Sequence, residues 1–367
     1  MRLKQGPPDI VLFLSVLALV CIGLIMIFSA SAVESSMQFH DEYHFVKRQL
    51  IWTVMGFGVL IIAMKFNYEK LRHLGLPAIG FAILCLILVL IPGLHIDALG
   101  AARQLNLGPV SFSPSELTKT CLILFLAANL PKHMARLKQF SAGLLPYLAL
   151  VGLICGLIML QPDLGTTFVI AVTAFLLLMV SGAKWGHLLG LAGAGAVLVG
   201  LAIWLEPFRM VRFIAFWDPW KYDKGAGFQT IQSLYALGSG GLFGVGLGRS
   251  RQKFFYLPEQ HTDFIFSILG EELGYLGVMV VLALFVLFIW RGFKIAMKAP
   301  DSFGALLAGG ITIMVAVQAA INMLVVSGSL PVTGIPLPFI SYGGASLIFT
   351  LAAVGLLLNV SRYADNR

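Results

Sequence analysis

Ionisable residues are rare in the apolar segments of this chain, so the few that occur are the first candidates for chemistry. They are Glu116, Lys119, Asp163, Asp263, Glu271 and Glu272. An ionisable group at membrane depth costs about 2.5–3.5 kcal/mol on insertion scales and therefore usually faces a cavity or a partner. Glu116 and Lys119 share one helical face, three residues apart, and can pair there. The pair is either a structural ion pair or the floor of a polar cavity.

Two aspartates precede apolar segments, and each has two interpretations. Asp163 lies in a short turn, where it either caps the next helix or takes part in catalysis or metal binding. Asp263 lies where a basic loop meets an apolar helix. A carboxylate at such a junction can be partly desolvated and act as a general base, but it can equally cap the helix.

A glycine-rich, basic stretch runs from Gly238 to Lys253 and matches neither a Walker A nor a G-x-G-x-x-G motif. Its glycines would let backbone amides approach an anion. Arg249, Arg251 and Lys253 would share one side if the stretch were extended. Packing against the membrane and contact with acidic lipid headgroups explain the same composition equally well.

The chain that positions these residues is 59% apolar and 11% charged, whereas soluble domains carry about 25% charged residues. Runs of about 20 apolar residues, each able to span the hydrocarbon core as a helix, recur along it. They predict one all-α polytopic membrane domain over 1–367 with about ten transmembrane helices. The predicted spans are 9–30, 49–65, 74–92, 114–131, 143–160, 164–182, 186–205, 262–290, 302–327 and 344–361. The first run exceeds the roughly 7–15 residues of a signal-peptide core, which favours an uncleaved helix.

The distribution of basic residues predicts the orientation. With both termini in the cytoplasm, the inside segments hold fourteen positive residues and the short outside segments hold three, as the positive-inside rule requires. The inside residues are Arg2, Lys4, Lys65, Lys70, Arg72, Lys132, Arg136, Lys138, Lys184, Arg291, Lys294, Lys298, Arg362 and Arg367; those outside are Lys47, Arg48 and Arg103. The long segment 206–261, between spans 7 and 8, is then extracytoplasmic. A second outer loop, 331–339, has three prolines and no charge, so we expect an irregular segment that lines a cavity.

Several motifs in order closely resemble the SEDS family of bacterial cell-wall proteins, which comprises FtsW, RodA and SpoVE. The resemblance covers essentially the whole chain, and the Gln252 to Pro258 stretch looks more like FtsW or SpoVE than RodA. The matching segments are Pro114-Ser115-Glu116, Gln161-Pro162-Asp163-Leu164-Gly165-Thr166, Asp218-Pro219-Trp220, Gly227-Phe228-Gln229, Gln252-Lys253-Phe254-Phe255-Tyr256-Leu257-Pro258-Glu259, His261-Thr262-Asp263-Phe264-Ile265-Phe266, Glu271-Glu272-Leu273-Gly274, Pro336-Leu337-Pro338-Phe339 and Ser341-Tyr342-Gly343-Gly344.

The resemblance implies a peptidoglycan glycosyltransferase in the bacterial cytoplasmic membrane. It would polymerise lipid II at the outer face with inversion, together with a class B penicillin-binding protein. The motif aspartate of the family maps onto Asp263, which would be the general base. A divalent cation, magnesium or manganese, would be held by Asp163 and Glu116. The candidate substrate-binding residues are Arg249, Arg251, Lys253, Glu116, Lys119, Asp163, Arg103 and His261.

One position departs from the family pattern. Many relatives have Gly-x-x-Arg-Trp before Pro-Ser-Glu, whereas here Gln104 follows Arg103, so this position does not supply an aromatic ring. Two other functions compete with the enzyme. A lipid II flippase would use Glu116 and Lys119 to line a headgroup path, and a noncatalytic scaffold would recruit the penicillin-binding protein through helix surfaces.

Overall fold

Helices form most of this protein, for which the computed structural model describes residues 5–93, 95–98, 101–106 and 111–364. The helices of the described residues are α1 Ile10–Phe39, α2 His44–Lys65, α3 Tyr68–Leu88, α4 Pro114–His133, α5 Leu145–Met159, α6 Leu164–Val180, α7 Trp185–Trp204, α8 Pro207–Trp217, α9 Phe228–Ser239, α10 Ile265–Met297, α11 Ser302–Val326 and α12 Gly344–Ser361. Short helical turns occupy Arg136–Lys138, Phe140–Leu144 and Pro219–Tyr222. The predicted all-α polytopic class is confirmed.

Eight of these helical segments are long and apolar enough to cross a membrane, and they include α1, α2, α7, α10, α11 and α12. Helix α6 is apolar but has 17 residues. Helix α4 occupies another predicted span but is less apolar, with Glu116 and Lys119 in its first turns. Ten spans therefore stay a prediction, although a helix lies at each predicted position.

A small antiparallel sheet between α3 and α4 was not predicted. Its strands are β1 His95–Ala98, β2 Ala101–Asn106 and β3 Ser111–Phe112, in the order β1-β2-β3. Gln104 pairs with Ile96, and Leu105 pairs with Phe112. Because these strands are short and their loop lacks a long alternating pattern, apolar periodicity gave no signal for them.

Helix α11 forms the centre of the bundle, and α7 lies at its edge. In the most apolar 18-residue segment of each helix, 78% of the residues are buried in α11, 61% in α12 and 6% in α7. Side chains of α11 pack against α4, α6, α10 and α12. A polar side chain on α11 can therefore reach several elements at once.

The segment predicted as one long loop, 206–261, contains two helices, α8 and α9, before it becomes irregular from Gly240 onward. Helix α9 is fixed to the bundle by Ser233, whose hydroxyl lies 2.7 Å from that of Ser267 and donates to the Val326 carbonyl at 2.6 Å. The long extracytoplasmic loop stays a prediction, and about half of this segment is helical. An 11-residue helix with charged residues on one side has no continuous apolar run and escapes a search for spans.

Helix α10 is interrupted at Gly274, whose φ of 66° and ψ of −167° lie outside the helical region. The glycine-rich segment 240–246 completes the hydrogen bonds at this break. Tyr275 N donates to Gly241 O at 2.9 Å, and Val245 N donates to Glu271 O at 3.0 Å. A Cβ on Gly244 would collide with the Glu272 carbonyl. These glycines thus serve close packing against a broken helix rather than an open anion cradle.

Both ends of the described chain meet at one end of the bundle. Gly6 N donates to Arg362 O at 2.7 Å, and Gln5 Nε2 donates to the Tyr363 hydroxyl at 2.6 Å. The predicted orientation has both termini on the same side of the membrane, which is possible only with an even number of spans.

Candidate functional site

Asp263 lies between the irregular basic segment and the first turn of α10, and it is half-buried. The helix begins at Ile265 with Phe264 in the capping position, so Asp263 lies one residue before the cap. Its backbone carbonyl accepts a hydrogen bond from Asn322 Nδ2 of α11 at 2.8 Å. The same nitrogen donates to the Ile335 carbonyl at 2.7 Å. Asn322 therefore links the backbone of Asp263 to the proline-rich outer loop.

The predicted outer loop, residues 331–339, is irregular as expected, and the irregular course continues to Gly343. The loop lies against Asp263. Gly334 has a φ of +73°, and a Cβ there would lie 3.5 Å from Asp263 Oδ2. On its other side, a Cβ on Gly165 would lie 2.7 Å from Thr333 O. The loop thus lies between the segment that contains Asp263 and the start of α6. A Cβ does not fit at Gly165, and the positive φ of Gly334 is one that residues with a side chain rarely adopt.

Two further hydrogen bonds fix the end of the loop to the segment before Asp263. The Ser341 hydroxyl donates to Thr262 O at 2.6 Å, and Tyr342 N donates to His261 O at 2.9 Å. The backbone on both sides of the Asp263 carboxylate is therefore held by neighbouring elements. Such fixation is what a positioned general base requires, because small displacements at a reacting group reduce rates strongly.

Glu116 and Lys119 form the predicted pair, with Lys119 Nζ 2.9 Å from Glu116 Oε1. Lys119 Nζ also donates to Gln318 Oε1 at 2.8 Å, and Ser346 Oγ donates to Glu116 Oε2 at 3.0 Å. Gln318 in turn donates to Pro336 O at 3.1 Å. The pair is buried and connects α4, α11 and α12 to the same outer loop that covers Asp263.

Asp163 caps helix α6, which confirms one of its two interpretations. Its Oδ1 accepts from Thr166 N at 2.9 Å, and its Oδ2 accepts from the Thr166 hydroxyl at 2.8 Å. A direct part in catalysis or metal binding stays a prediction. The turn it belongs to places Gly165 against the outer loop, so Asp163 lies on the same side of the bundle as Asp263.

Lys253 is buried, with 4% of its surface exposed, and its ammonium is engaged. It donates to Gly248 O at 2.6 Å and lies 3.4 Å from Glu272 Oε1. The segment 251–263 forms successive turns rather than a strand, so the expectation that Arg249, Arg251 and Lys253 line one side of an extended stretch is wrong. Of the three, only the two arginines present exposed side chains.

The buried acids Glu271 and Glu272 anchor this basic segment to the bundle. Glu271 accepts from the Ser250 hydroxyl at 2.5 Å and from Arg251 N at 2.9 Å. Glu272 accepts from the Ser29 hydroxyl of α1 at 2.7 Å, in addition to its contact with Lys253. Buried carboxylates are tolerated when they are hydrogen-bonded and paired in this way. The arginines thus project from a segment whose backbone is fixed.

His261 lies beside groups that the sequence did not connect to it. Its Nδ1 is 3.4 Å from Glu34 Oε2, and its ring centroid lies 4.7 Å from that of Phe45 and 5.5 Å from that of Tyr342. Burial raises the pKa of the Tyr342 hydroxyl above its usual 10. Glu34 was missed because the first helix was expected to end at residue 30, whereas it continues to Phe39.

Asn322 and Gln318 are the other functional candidates that sequence reasoning missed. They are four residues apart on α11 and so share one helical face. Two amides in an otherwise apolar helix were a detectable signal. Their hydrogen-bond acceptors could not be predicted, because both amides bind backbone carbonyls of an irregular loop that lies outside α11.

Arg103 and Gln104 lie in β2. The Arg103 side chain is outside the described part of the structure. Gln104 is half-buried in the small sheet. Its effect on activity, in place of the usual aromatic residue, stays a prediction.

The predicted metal ligands do not form a ready metal site. Within the described residues there is no group of three His, Cys, Asp or Glu side chains that could hold an ion. Both carboxylate oxygens of Asp163 accept from Thr166, and those of Glu116 accept from Lys119 and Ser346. These oxygens would have to exchange partners to bind a cation.

The fold and the site together define an integral membrane protein with many spans whose polar groups meet at the end of the bundle opposite its termini. The chain belongs to the FtsW/RodA/SpoVE family, described as cell cycle proteins, which residues 9–366 match.

Similar proteins cover nearly the whole chain. It is 46% identical over 366 residues to stage V sporulation protein E of Bacillus subtilis (strain 168), covering 99% of this chain and 100% of that protein. It is 43% identical to a probable peptidoglycan glycosyltransferase FtsW of Geobacter sp. (strain M18), covering 98% of each.

Solved structures share the fold. A chain from a peptidoglycan synthase complex, whose structure concerns the coordination of polymerization and crosslinking, superposes with a TM-score of 0.81 at 33% identity and covers 98% of this chain and 99% of that one. The rod shape determining protein RodA of Thermus thermophilus gives a TM-score of 0.70 at 31% identity, covering 98% of each chain.

Proposed function

We propose that this chain is a peptidoglycan glycosyltransferase that polymerises lipid II at the outer face of the bacterial cytoplasmic membrane. One observation carries the proposal: Asp263 is half-buried under an uncharged loop, with its backbone carbonyl fixed by Asn322. A carboxylate so placed is partly shielded from water and is carried by a backbone that is held in position, as suits a general base. The names of the similar proteins support the same activity.

In the proposed reaction, the Asp263 carboxylate takes the proton from the hydroxyl of the acceptor sugar. The freed oxygen attacks the anomeric carbon of the donor sugar. The new glycosidic bond forms as the bond to the diphosphate breaks, with inversion at that carbon. Undecaprenyl diphosphate leaves with the negative charge. Proton transfer to a positioned base contributes about 10²- to 10⁴-fold to such rates.

The exposed arginines Arg249 and Arg251 are the proposed partners of the departing diphosphate. Guanidinium groups bind phosphate oxygens in a planar, two-pronged geometry. Their backbone is anchored through Ser250 and Arg251 N to Glu271, so little ordering is needed when substrate binds. Lys253 acts in this proposal by holding the segment in place.

An apolar groove of about 790 Å³ supports a substrate with a lipid chain. It lies between α6 and α7 under α8, and Phe168, Phe175, Trp204 and Phe213 line it. Phe168 follows Gly165 by three residues on α6, so the groove begins about one helical turn from the glycine that contacts the outer loop. A polyprenyl chain in this groove would bring its diphosphate to the level of that loop.

A class B penicillin-binding protein is the proposed partner, which the similarity to a chain of a peptidoglycan synthase complex supports. Both termini are proposed to be cytoplasmic, and the charge distribution supports that orientation. A divalent cation stays part of the proposal. Because the carboxylates of Asp163 and Glu116 are already hydrogen-bonded, no step above depends on it.

The decisive experiment compares wild type with Asp263→Asn and with a control, Asp223→Asn, an exposed aspartate of the same outer segment. Each purified protein is incubated with lipid II, a divalent cation and the penicillin-binding protein, and glycan polymer is measured. We expect wild type and Asp223→Asn to make polymer, and Asp263→Asn to lose about 10²-fold or more. Folded complex that makes no polymer, or an active Asp263→Asn variant, would refute the proposal.

Two outcomes would favour the competing functions. Translocation of the lipid II headgroup across liposomes without polymer would favour a flippase. The buried pair of Glu116 and Lys119 motivates that alternative. Normal cell-wall synthesis in cells that carry Asp263→Asn would instead favour a scaffold.

A further inference from the structure

The end of α1 meets the segment before Asp263 through Glu34 and His261. Glu34 Oε2 lies 3.4 Å from His261 Nδ1. The pair is partly shielded from water, because only 22% of the Glu34 side chain and 10% of the His261 side chain are exposed. Salt screens partly buried charges much less than charges on an open surface. The contact can therefore tie α1 to this segment.

The Glu34 carboxylate has no cationic neighbour on its own helix. The last turn of α1 contains no basic residue, and the residues three and four positions from Glu34, its neighbours on the helix surface, are uncharged. Gln38 Nε2 donates to Glu34 Oε1 at 3.1 Å, while Oε2 faces His261. The charge of Glu34 is thus compensated by a different element of the fold.

The His261 ring in turn depends on this carboxylate. Its Nδ1 is buried and has no hydrogen-bond partner among the described residues, and burying a polar nitrogen without a partner is unfavourable. The contact with Glu34 has the length of an ion pair. A facing carboxylate favours a proton on Nδ1 and fixes the orientation of the ring. Glu34 therefore orients the His261 ring.

Two aromatic rings hold His261 from other sides. Its ring centroid lies 4.7 Å from that of Phe45 in α2 and 5.5 Å from that of Tyr342 in the outer loop. The Phe45 and Tyr342 rings also contact each other, with 5.2 Å between their centroids. The His261 ring is thus the point where α1, α2 and the outer loop meet the segment that carries Asp263.

The backbone from His261 to Asp263 is held at three successive carbonyls. Their hydrogen-bond donors are Tyr342 N, the Ser341 hydroxyl and Asn322 Nδ2, at 2.9, 2.6 and 2.8 Å. A backbone held at each residue has little freedom to adjust. The orientation of the His261 ring and the position of the Asp263 peptide therefore depend on each other.

We propose that Glu34 is a positioning residue for Asp263 and acts through His261. The Glu34 carboxylate holds the His261 ring, and the held ring keeps segment 261–263 in place while the Asp263 carboxylate takes the proton. Glu34 itself does not contact substrate. The inference rests on the proposed function, because it is there that Asp263 is the general base.

The first test compares the steady-state kinetics of wild type and Glu34→Gln in complex with the penicillin-binding protein, with lipid II as substrate. Glutamine keeps the shape of the side chain and removes its charge. A shift of about 1 Å at a reacting group costs about 10²-fold in rate, and Phe45 and Tyr342 still hold the ring, so kcat should fall about tenfold. The KM for lipid II should change less than kcat. The control is Glu42→Gln, an exposed acid in the turn after α1, which should match wild type.

The second test asks whether Glu34 acts through His261. His261→Asn should lower kcat at least as much as Glu34→Gln. Adding Glu34→Gln to His261→Asn should then cause no further loss, because residues that act through one contact are not additive. All rates are expressed per folded molecule, with the melting temperature of each variant measured in detergent.

Each outcome decides between the two proposals. Polymer from wild type, with losses that multiply in the double variant, would show that Glu34 acts independently of His261 and would overturn the inference alone. The same holds for a Glu34→Gln variant that has a lower melting temperature but the wild-type kcat per folded molecule, since the pair would then serve stability only. A wild-type complex that is folded and makes no polymer would overturn the proposed function, and this inference with it.

Discussion

Asn322 offers the sharpest test of how the bundle positions its proposed base. Its Nδ2 donates to the carbonyls of Asp263 and Ile335 at 2.8 and 2.7 Å. Asn322→Leu keeps approximate size but removes both donors. Each buried carbonyl left without a partner costs about 1–3 kcal/mol, so the free energy of unfolding should fall by about 2–6 kcal/mol if the loop does not move. If the loop moves by about 1 Å, the rate should fall about 10²-fold.

A matched control exists on α12. Asn359 is equally buried, and its Nδ2 also donates to two backbone carbonyls, those of Ala63 and Phe66, at the opposite end of the bundle. In both asparagines the side-chain oxygen is buried without a hydrogen-bond partner among the described residues. Leu in place of either one therefore removes the same groups.

The assay is polymer formed per folded molecule, with folding measured as the melting temperature in detergent. We expect similar loss of stability in Asn322→Leu and Asn359→Leu, but a loss of specific activity of about 10²-fold only in Asn322→Leu. The KM for lipid II should change less than kcat, since the two hydrogen bonds of Asn322 position the proposed base. Equal specific activities in the two variants would refute the positioning role.

Three further predictions concern the surrounding groups. Lys253→Met should lower the free energy of unfolding by about 3–5 kcal/mol, because it leaves the buried Glu272 carboxylate without the Lys253 ammonium. Denaturant unfolding of wild type and variant measures this. Asp163→Asn should keep the cap of α6 and the melting temperature, whereas Asp163→Ala should lower the free energy of unfolding by about 1 kcal/mol. A loss of activity in Asp163→Asn, in which the cap is intact, would reveal a role beyond capping. The raised pKa of Tyr342 means that its phenolate is disfavoured in the folded state, so stability should fall as the pH rises above the usual value of 10. Tyr342→Phe should flatten that fall in a pH series of melting temperatures, and an unchanged slope would contradict the assignment.

The broken helix α10 links the two halves of the proposed site. Its first part carries Glu271 and Glu272, which hold the basic segment, and it begins directly after Asp263. The hydrogen bonds of segment 240–246 to residues around Gly274 fix the angle of the break. The base and the arginines are thus attached to one rigid element, which explains how a segment with little regular structure keeps a defined geometry.

Composition and apolar runs by themselves determined the class of the protein and where most helices lie, because backbone groups in a bilayer must pair within a helix. A helix is present at each predicted span. The pairing of Glu116 with Lys119 was also readable, since residues three apart on a helix are neighbours. So was the irregular course of the outer loop, since its prolines exclude a regular helix.

Only the tertiary structure decided which polar groups meet. Lys253 looked like a partner for phosphate in the sequence, but it is buried against Glu272, because the turns of its segment direct it inward. Asn322 touches the backbone of two residues, one 59 positions before it and one 13 after it. Such contacts depend on how helices pack, and packing is set by the shapes of whole surfaces rather than by any local pattern. For the same reason, the sequence identified Asp263 as a candidate general base but did not show that the outer loop holds its backbone in place.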